Sequence, residues 1–207
     1  MKNINRAFSI IEIIIGIFIF SLGISAIYMV ISSSLNMNIY NQNQIIAGNL
    51  AREGIELVRN IRDSNYITYH KWNQKGPYLD YTNTDNFFST GSYYIVENDY
   101  SEYSQFPIKV TDITTGFGEG VENLTGSMEN YRLCLDSEKR YTYDCSTSGN
   151  KKTQFYRYIK FDEVKYNSGT NTELISDAYK VNAKVIWYMK GYHEIQIDTI
   201  LADWKRL

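Results

Sequence analysis

Cysteine, histidine and proline are scarce in this chain of 207 residues, and neither sign of charge predominates. The sequence has two residues of each of these three types, and its 21 basic and 23 acidic side chains give a formal net charge of -2. Two cysteines exclude an all-cysteine zinc centre, and the cysteines and histidines lack paired-ligand spacing. The balanced charge argues against the strong basicity of nucleic-acid-binding domains. The sequence therefore predicts no metal site and no cofactor, and leaves a nucleic-acid partner open.

The length and the apolar content favour one globular domain with an appendage over two full domains. With 43% hydrophobic and 21% charged residues, the chain has enough apolar mass to fold. His70 and His193 lie in stretches typical of loops or turns. No residue that would orient a cysteine–histidine pair can be identified, and no Ser, His and Asp grouping stands out. We therefore expect a protein that is not an enzyme.

A long apolar run lies near the N-terminus. Residues Ile13 to Ile31 are nineteen positions without a formal charge, about 28 Å of α-helix, and a bilayer core is roughly 30 Å thick. Lys2 and Arg6 precede the run with no acidic residue before Glu12. The positive-inside bias then predicts a single-pass membrane protein with a cytoplasmic N-terminus and an exported remainder.

Glu12 lies at the edge of this run, where a plain membrane anchor would not place a charge. A carboxylate at the centre of a membrane helix costs on the order of 2.5 to 3.5 kcal/mol on insertion scales. Two interpretations remain open from the residues alone. Either Glu12 is tolerated at the depth of the lipid headgroups, or a positive partner meets it there.

The segment Ala7-Phe8-Ser9-Ile10-Ile11-Glu12, followed by the apolar run, resembles the class III signal of type IV prepilins and the related pseudopilins. The resemblance implies that prepilin peptidase cuts between Ala7 and Phe8 and that Phe8 becomes N-methylated. It also implies that Glu12 pairs with the terminal amine of a neighbouring subunit during assembly on an inner-membrane platform. Such a carboxylate and amine offset each other's desolvation only when both are present.

Beyond Ser32 the pattern becomes amphipathic, with apolar residues recurring every three, four or seven positions. No Pro interrupts the chain from Ile10 to about Arg62, so we expect one continuous helix that stops near Asp63-Ser64-Asn65. The stretch from Asn49 to Asn65 is similar to the helix end of minor pilins of the pilus-modification class. The expected organisation is a cleaved leader at 1–7, a transmembrane and assembly half-helix at 8–32, an amphipathic half-helix at 33–65 and a globular head at 66–207.

The remainder alternates short aromatic or β-branched segments with Gly, Asn, Ser and Thr clusters, which is typical of an antiparallel sheet. On the strand from Ala178 to Met189 we expect one buried face and one mostly exposed face. A turn at Lys190-Gly191-Tyr192-His193 should follow it. The expected fold class is α+β, and the resemblance implies a pilin-like arrangement, a long N-terminal helix with a membrane-spanning N-terminal half packed on a C-terminal antiparallel sheet. The expected strands are Tyr93 to Val96, Tyr131 to Leu135, Phe155 to Phe161, Ala178 to Met189 and Glu194 to Ile200.

Cys134 and Cys145 are eleven positions apart in the exported part, where the compartment permits oxidation. A disulfide between them would add roughly 2 to 3 kcal/mol; two separate thiols are the alternative. The stretch from Glu97 to Glu129 is rich in acidic residues. A calcium site built from Asp112, Glu119 and Glu122 and a solvated acidic loop are both compatible with it, although no EF-hand spacing occurs.

These observations favour a structural and interaction protein over an enzyme. The resemblance implies a minor pilin of a type IV pilus or a related filament, acting in pilus assembly or priming, adhesion, motility or DNA uptake. Its partners would be other pilin subunits, prepilin peptidase, the inner-membrane assembly platform and the membrane, before the protein reaches the cell-surface pilus. Two alternatives stay open: an unprocessed, membrane-anchored extracytoplasmic binding module, and a pseudopilin of a type II secretion system.

Overall fold

The computed structural model describes residues 9–76, 86–99, 108–113, 127–167 and 172–204. In these ranges the chain forms a long α-helix, α1 (Ile10–Ile67), and an antiparallel sheet that follows it. A short 3-10 helix covers Ser127–Tyr131. The chain divides into two compact units, Met1–Asn43 and Gln44–Leu207.

Helix α1 is 58 residues long and begins where the sequence predicts. The carbonyl of Ser9 accepts hydrogen bonds from the backbone amides of Glu12 and Ile13, which starts the first turn. The helix extends two residues beyond the expected stop at Asn65. It ends because Tyr69 adopts a left-handed conformation, and the amide of His70 then donates to the carbonyl of Asn65 over 2.8 Å.

Within the described ranges the sheet contains seven strands, of which the sequence predicts five. The two unpredicted strands are β2 (Ile108–Ile113) and β4 (Tyr141–Thr142), and the central strands β5 (Lys151–Asn167) and β6 (Thr172–Tyr188) are both 17 residues long, well beyond the predicted segments. The other strands are β1 (Tyr93–Asn98), β3 (Arg132–Leu135) and β7 (Tyr192–Ala202).

Strand β5 organises the sheet. Strand β6 pairs along one of its edges, and β7 lies outside β6. The other edge of β5 is shared by β1 and β3, which carry β2 and β4 on their outer sides. Every pairing is antiparallel, and the expected α+β arrangement, a long helix packed on a C-terminal antiparallel sheet, is confirmed.

The main core lies between the second half of α1 and one face of the sheet. Leu50, Ile55, Val58 and Ile61 of the helix are buried, as the amphipathic pattern predicts. On β6 the alternating residues Val181, Ala183, Val185 and Trp187 are buried on the same side, which confirms the predicted inner face.

The opposite face of the sheet is not mostly exposed, and that expectation is wrong. Ile186 alternates with Val185 and Trp187 and so lies on the face expected to be exposed, but it is 1% exposed because the 3-10 helix covers this side with Met128 and Tyr131. Asn182 is also buried and donates to the carboxylate of Asp162. The cluster on this face consists of Ile95, Met128, Tyr131, Tyr156, Tyr158 and Ile186.

The hairpin between β6 and β7 turns earlier than expected. Its loop is Met189-Lys190-Gly191, and Lys190 has a positive φ of 55°. Tyr192 and His193, which the sequence places in the turn, already belong to β7, where they pair with Tyr188 and Trp187. The reason is that a tight turn lets the ladder start directly after Gly191.

Candidate functional site

The first half of α1 presents apolar side chains on all of its sides. From Ile10 to Ile31 the large apolar side chains are between 51% and 78% exposed. An amphipathic helix would have one covered face, whereas a helix that is apolar all round belongs in a membrane or inside a bundle. This helix is also the one element in the described part of the chain that is long and apolar enough to cross a membrane.

The two serines inside this segment, Ser21 and Ser25, have backbone partners. The hydroxyl of Ser21 donates to the carbonyl of Phe18 over 2.8 Å, and that of Ser25 donates to the carbonyl of Ser21 over 2.9 Å. Transfer of an unpaired hydroxyl from water to hydrocarbon costs on the order of 4 to 8 kcal/mol on the cyclohexane scale. The segment therefore suits a lipid environment despite its serines.

Glu12 lies in the first turn of α1 and is exposed. A carboxylate in the first turn interacts favourably with the positive end of the helix dipole. Ser9 and Glu12 also have the Ser-x-x-Glu spacing of a capping box. The position thus offers Glu12 two uses, as a helix-start residue and as a partner for a cation. Ala7 and Phe8 lie outside the described residues, so their cleavage and methylation stay predictions.

Arg157 joins the second half of α1 to the sheet. Its side chain is 1% exposed on β5, and one guanidinium nitrogen donates to the carbonyl of Leu50 at 3.1 Å and to the carboxylate of Glu53 at 3.0 Å. Another nitrogen donates to the carbonyl of Val96, and Nε donates to the hydroxyl of Tyr143. A single side chain thereby links the helix, β1 and the loop after β4.

Burial alone would lower the pKa of Arg157, but Tyr143 and Glu53 outweigh it, so the net pKa is raised. The guanidinium therefore stays charged in the core. Sequence reasoning missed this residue. The signal was a cation that alternates in step with Phe155, Ile159 and Phe161, and so shares the apolar face of the strand, whereas Lys160 falls on the other face.

Cys134 and Cys145 form a disulfide with 5.4 Å between their Cα atoms, which confirms the bonded alternative. Cys134 lies on β3 and is fully buried, while Cys145 lies in the loop after β4. Asp144 next to it accepts hydrogen bonds from the side chains and amides of Ser146 and Thr147, which hold the pKa of its carboxyl well below the usual range. The bridge and the aspartate together fix this loop.

The residues considered for metal or acid chemistry are not brought together in the described ranges. Asp112 forms a salt bridge with Lys75, while Glu119 and Glu122 lie outside the described residues. Among the residues described, no group of three or more His, Cys, Asp or Glu side chains could hold a metal ion. His193 stacks on Trp187, and one of its ring nitrogens lies 3.1 Å from the carbonyl of Met189.

Comparisons with known proteins add no relative to this description. No family model, no curated protein and no solved structure matches the chain. The features that bear on function are therefore the apolar helix, Glu12 and the head.

Proposed function

We propose that this chain is a minor pilin-like subunit of a type IV pilus or related filament, anchored and then assembled through the first half of α1. The observation that carries the proposal is a helix segment that is apolar on every side, has one carboxylate in its first turn, and continues into a helix packed on a folded head. Such a segment needs lipid or other helices around it. Lipid before assembly and sister helices afterwards supply both environments.

The disulfide supports an extracytoplasmic head. Disulfides persist in oxidising compartments and are rare in the cytosol, and Cys134 and Cys145 are bonded. An exported head on a cytoplasmic N-terminus is the orientation that Lys2 and Arg6 favour. Two separate features of the chain thus agree on one topology.

The first test is mass spectrometry of the N-terminus of the native protein. We expect a chain that begins at Phe8 with one extra methyl group. In matched cells that lack prepilin peptidase, the same chain should begin at Met1. An intact Met1 in cells that have the peptidase contradicts the proposal.

The second test separates the two uses of Glu12. We expect Glu12→Gln to insert in the membrane at the wild-type level but to be lost from purified filaments, because an amide cannot neutralise a buried amine. Ser9→Ala, which weakens only the helix start, is the matched control and should still be incorporated. Immunoblots of membrane and filament fractions measure both, and wild-type incorporation of Glu12→Gln rejects the pairing.

One alternative is an unprocessed membrane-anchored binding module. It is favoured by the length and apolar character of α1, which are sufficient to cross a membrane without processing. It requires an uncut N-terminus and indifference to the loss of Glu12, so the two experiments decide between them. A pseudopilin of a type II secretion system would pass both tests. It differs in that its loss would stop the export of secreted proteins rather than pilus-dependent adhesion, motility or DNA uptake.

A further inference from the structure

A cleft of about 460 Å³ lies where α1 ends, within the unit Gln44–Leu207. Its size is in the range of about 300 to 1,000 Å³ that is typical of small-ligand sites. Aromatic rings and polar side chains line it together. The lining includes Tyr69, His70, Trp72, Asn73, Asp177 and Asp203.

Tyr69 occupies a position that usually belongs to glycine. It is the left-handed residue of the helix C-cap, with φ of 62°, and a residue with a Cβ is disfavoured there. Its side chain is 95% exposed, so packing within the head does not account for it. A large ring kept in a disfavoured backbone conformation at the mouth of a cleft indicates a use in binding.

The acidic side of the cleft is held in place by hydrogen bonds. The hydroxyl of Tyr66 donates to the carboxylate of Asp203 over 2.9 Å. Burial, followed by the hydrogen bond and charge of Asp203, raises the pKa of Tyr66 to about 12, so the hydroxyl stays protonated. The amide of Asp203 donates to the carbonyl of Asp177, also over 2.9 Å. Two neighbouring aspartates are thus positioned by the backbone and by one tyrosine.

An irregularity in β6 places Asp177 on this side of the cleft. Glu163 of β5 pairs with Tyr179, but the next residue, Val164, pairs with Ile175, so three residues of β6 bulge out. Two of them, Ser176 and Asp177, line the cleft. Bulges of this kind re-aim side chains next to functional sites. Trp72 packs against Tyr179 with 5.2 Å between ring centroids, which fixes its orientation.

We propose that this cleft binds a neutral carbohydrate. A sugar ring has an apolar C–H face for aromatic rings such as Tyr69 and Trp72, and hydroxyls that donate to carboxylates such as Asp177 and Asp203. Two carboxylates disfavour an acidic sugar. Lys71, which also lines the cleft, disfavours a simple cation. The proposal does not depend on assembly into a filament.

Purified full-length protein is titrated in a polyoxyethylene detergent, which carries neither sugar nor choline. The probes are the methyl glycosides of glucose, galactose, mannose and N-acetylglucosamine, the uronic acids of the first three, and choline. Saturation-transfer NMR and tryptophan fluorescence report binding. We expect at least one neutral glycoside to bind, and acidic sugars to bind at least about tenfold more weakly, a difference of about 1.4 kcal/mol.

Variants separate binding from folding. Tyr69→Gly should raise the melting temperature, because it relieves the backbone, yet weaken sugar binding by at least about tenfold. Asp177→Asn should weaken binding with little change in melting temperature. Tyr166→Ala, which removes an exposed tyrosine outside the cleft lining, is the control and should bind like the wild type. Binding of choline alone, binding of no neutral glycoside, or wild-type affinity in Tyr69→Gly overturns the proposal.

Discussion

Arg157 lies in the contact between α1 and the sheet, where a charged group must satisfy several partners to be buried at all. It donates to two backbone carbonyls, of Leu50 and Val96, and to the side chains of Glu53 and Tyr143. Its carboxylate partner is 37% exposed, so the ion pair is partly screened by solvent. The backbone contacts, which lie in the dry part of the core, therefore provide most of what this residue contributes.

Replacing Arg157 by Met tests this division. We expect Arg157→Met to lower the free energy of unfolding by about 3 kcal/mol, because two buried carbonyls and Tyr143 lose their donor. Glu53→Gln keeps an acceptor for the guanidinium and should cost less than about 1 kcal/mol. Denaturant unfolding of the full chain in detergent, followed by tryptophan fluorescence, measures both. Equal losses in the two variants would instead assign the effect to the ion pair.

Residue-scale features are the least predictable part of this molecule. Glu12 could be identified because a charge next to a long apolar run stands out from its neighbours in the sequence alone. Arg157 and Tyr69 could not, since one depends on carbonyls more than 60 residues away in the chain and the other on a backbone angle. The disulfide lay between these cases: its two cysteines were visible, but their proximity depended on the fold.

At the scale of elements, the packing of α1 on the sheet depends on the absence of a side chain at Gly54. A Cβ atom at Gly54 would lie 3.4 Å from Cδ1 of Ile159 and 3.5 Å from Cβ of Ala183. That leaves room for a methyl group in ordinary contact and none for a longer side chain. A Cβ at Gly48, about 1.7 turns earlier, would meet nothing within 4 Å. The two glycines therefore form a matched pair on one helix.

This pair gives a prediction about size at the helix–sheet contact. Gly54→Ala and Gly48→Ala should each raise the free energy of unfolding by up to about 1 kcal/mol, because alanine is the better helix former. Gly54→Leu should lower it by roughly 1 to 3 kcal/mol through overpacking, whereas Gly48→Leu should not lower it. Thermal unfolding in the same detergent measures all four. A harmless Gly54→Leu would contradict the close contact.

The sequence predicts the elements with strong periodicity and misses those that depend on context. The helix and the five strands with aromatic or β-branched runs were found because their patterns are local. Strand β4 has two residues, and β2, Ile108–Ile113, carries polar side chains at an edge of the sheet, so neither has a distinctive pattern. The second buried face was missed because a 3-10 helix distant from β6 in the chain covers it.

At the scale of the whole molecule, burial is distributed very unevenly along one helix. From Ala47 onward α1 supplies core residues, whereas its large apolar side chains from Ile10 to Ile31 are more than half exposed. Apolar burial stabilises by about 25 cal/mol per Å². A segment that leaves so much apolar surface uncovered gains that free energy only from lipid or from other helices.

Two charges in the middle of this segment test whether the membrane is its first environment. The double variant Ile17→Arg and Phe20→Arg should cost roughly 5 to 7 kcal/mol on insertion scales, since each arginine at the centre of a span costs about 2.5 to 3.5 kcal/mol. We expect most of this variant to be lost from the membrane fraction after alkaline carbonate extraction. Asn36→Arg with Asn38→Arg, on the same helix beyond the apolar run, is the control and should resist extraction like the wild type. If the first double variant is retained as well as the control, the segment is not a membrane span, and the apolar helix must be covered by protein from the start.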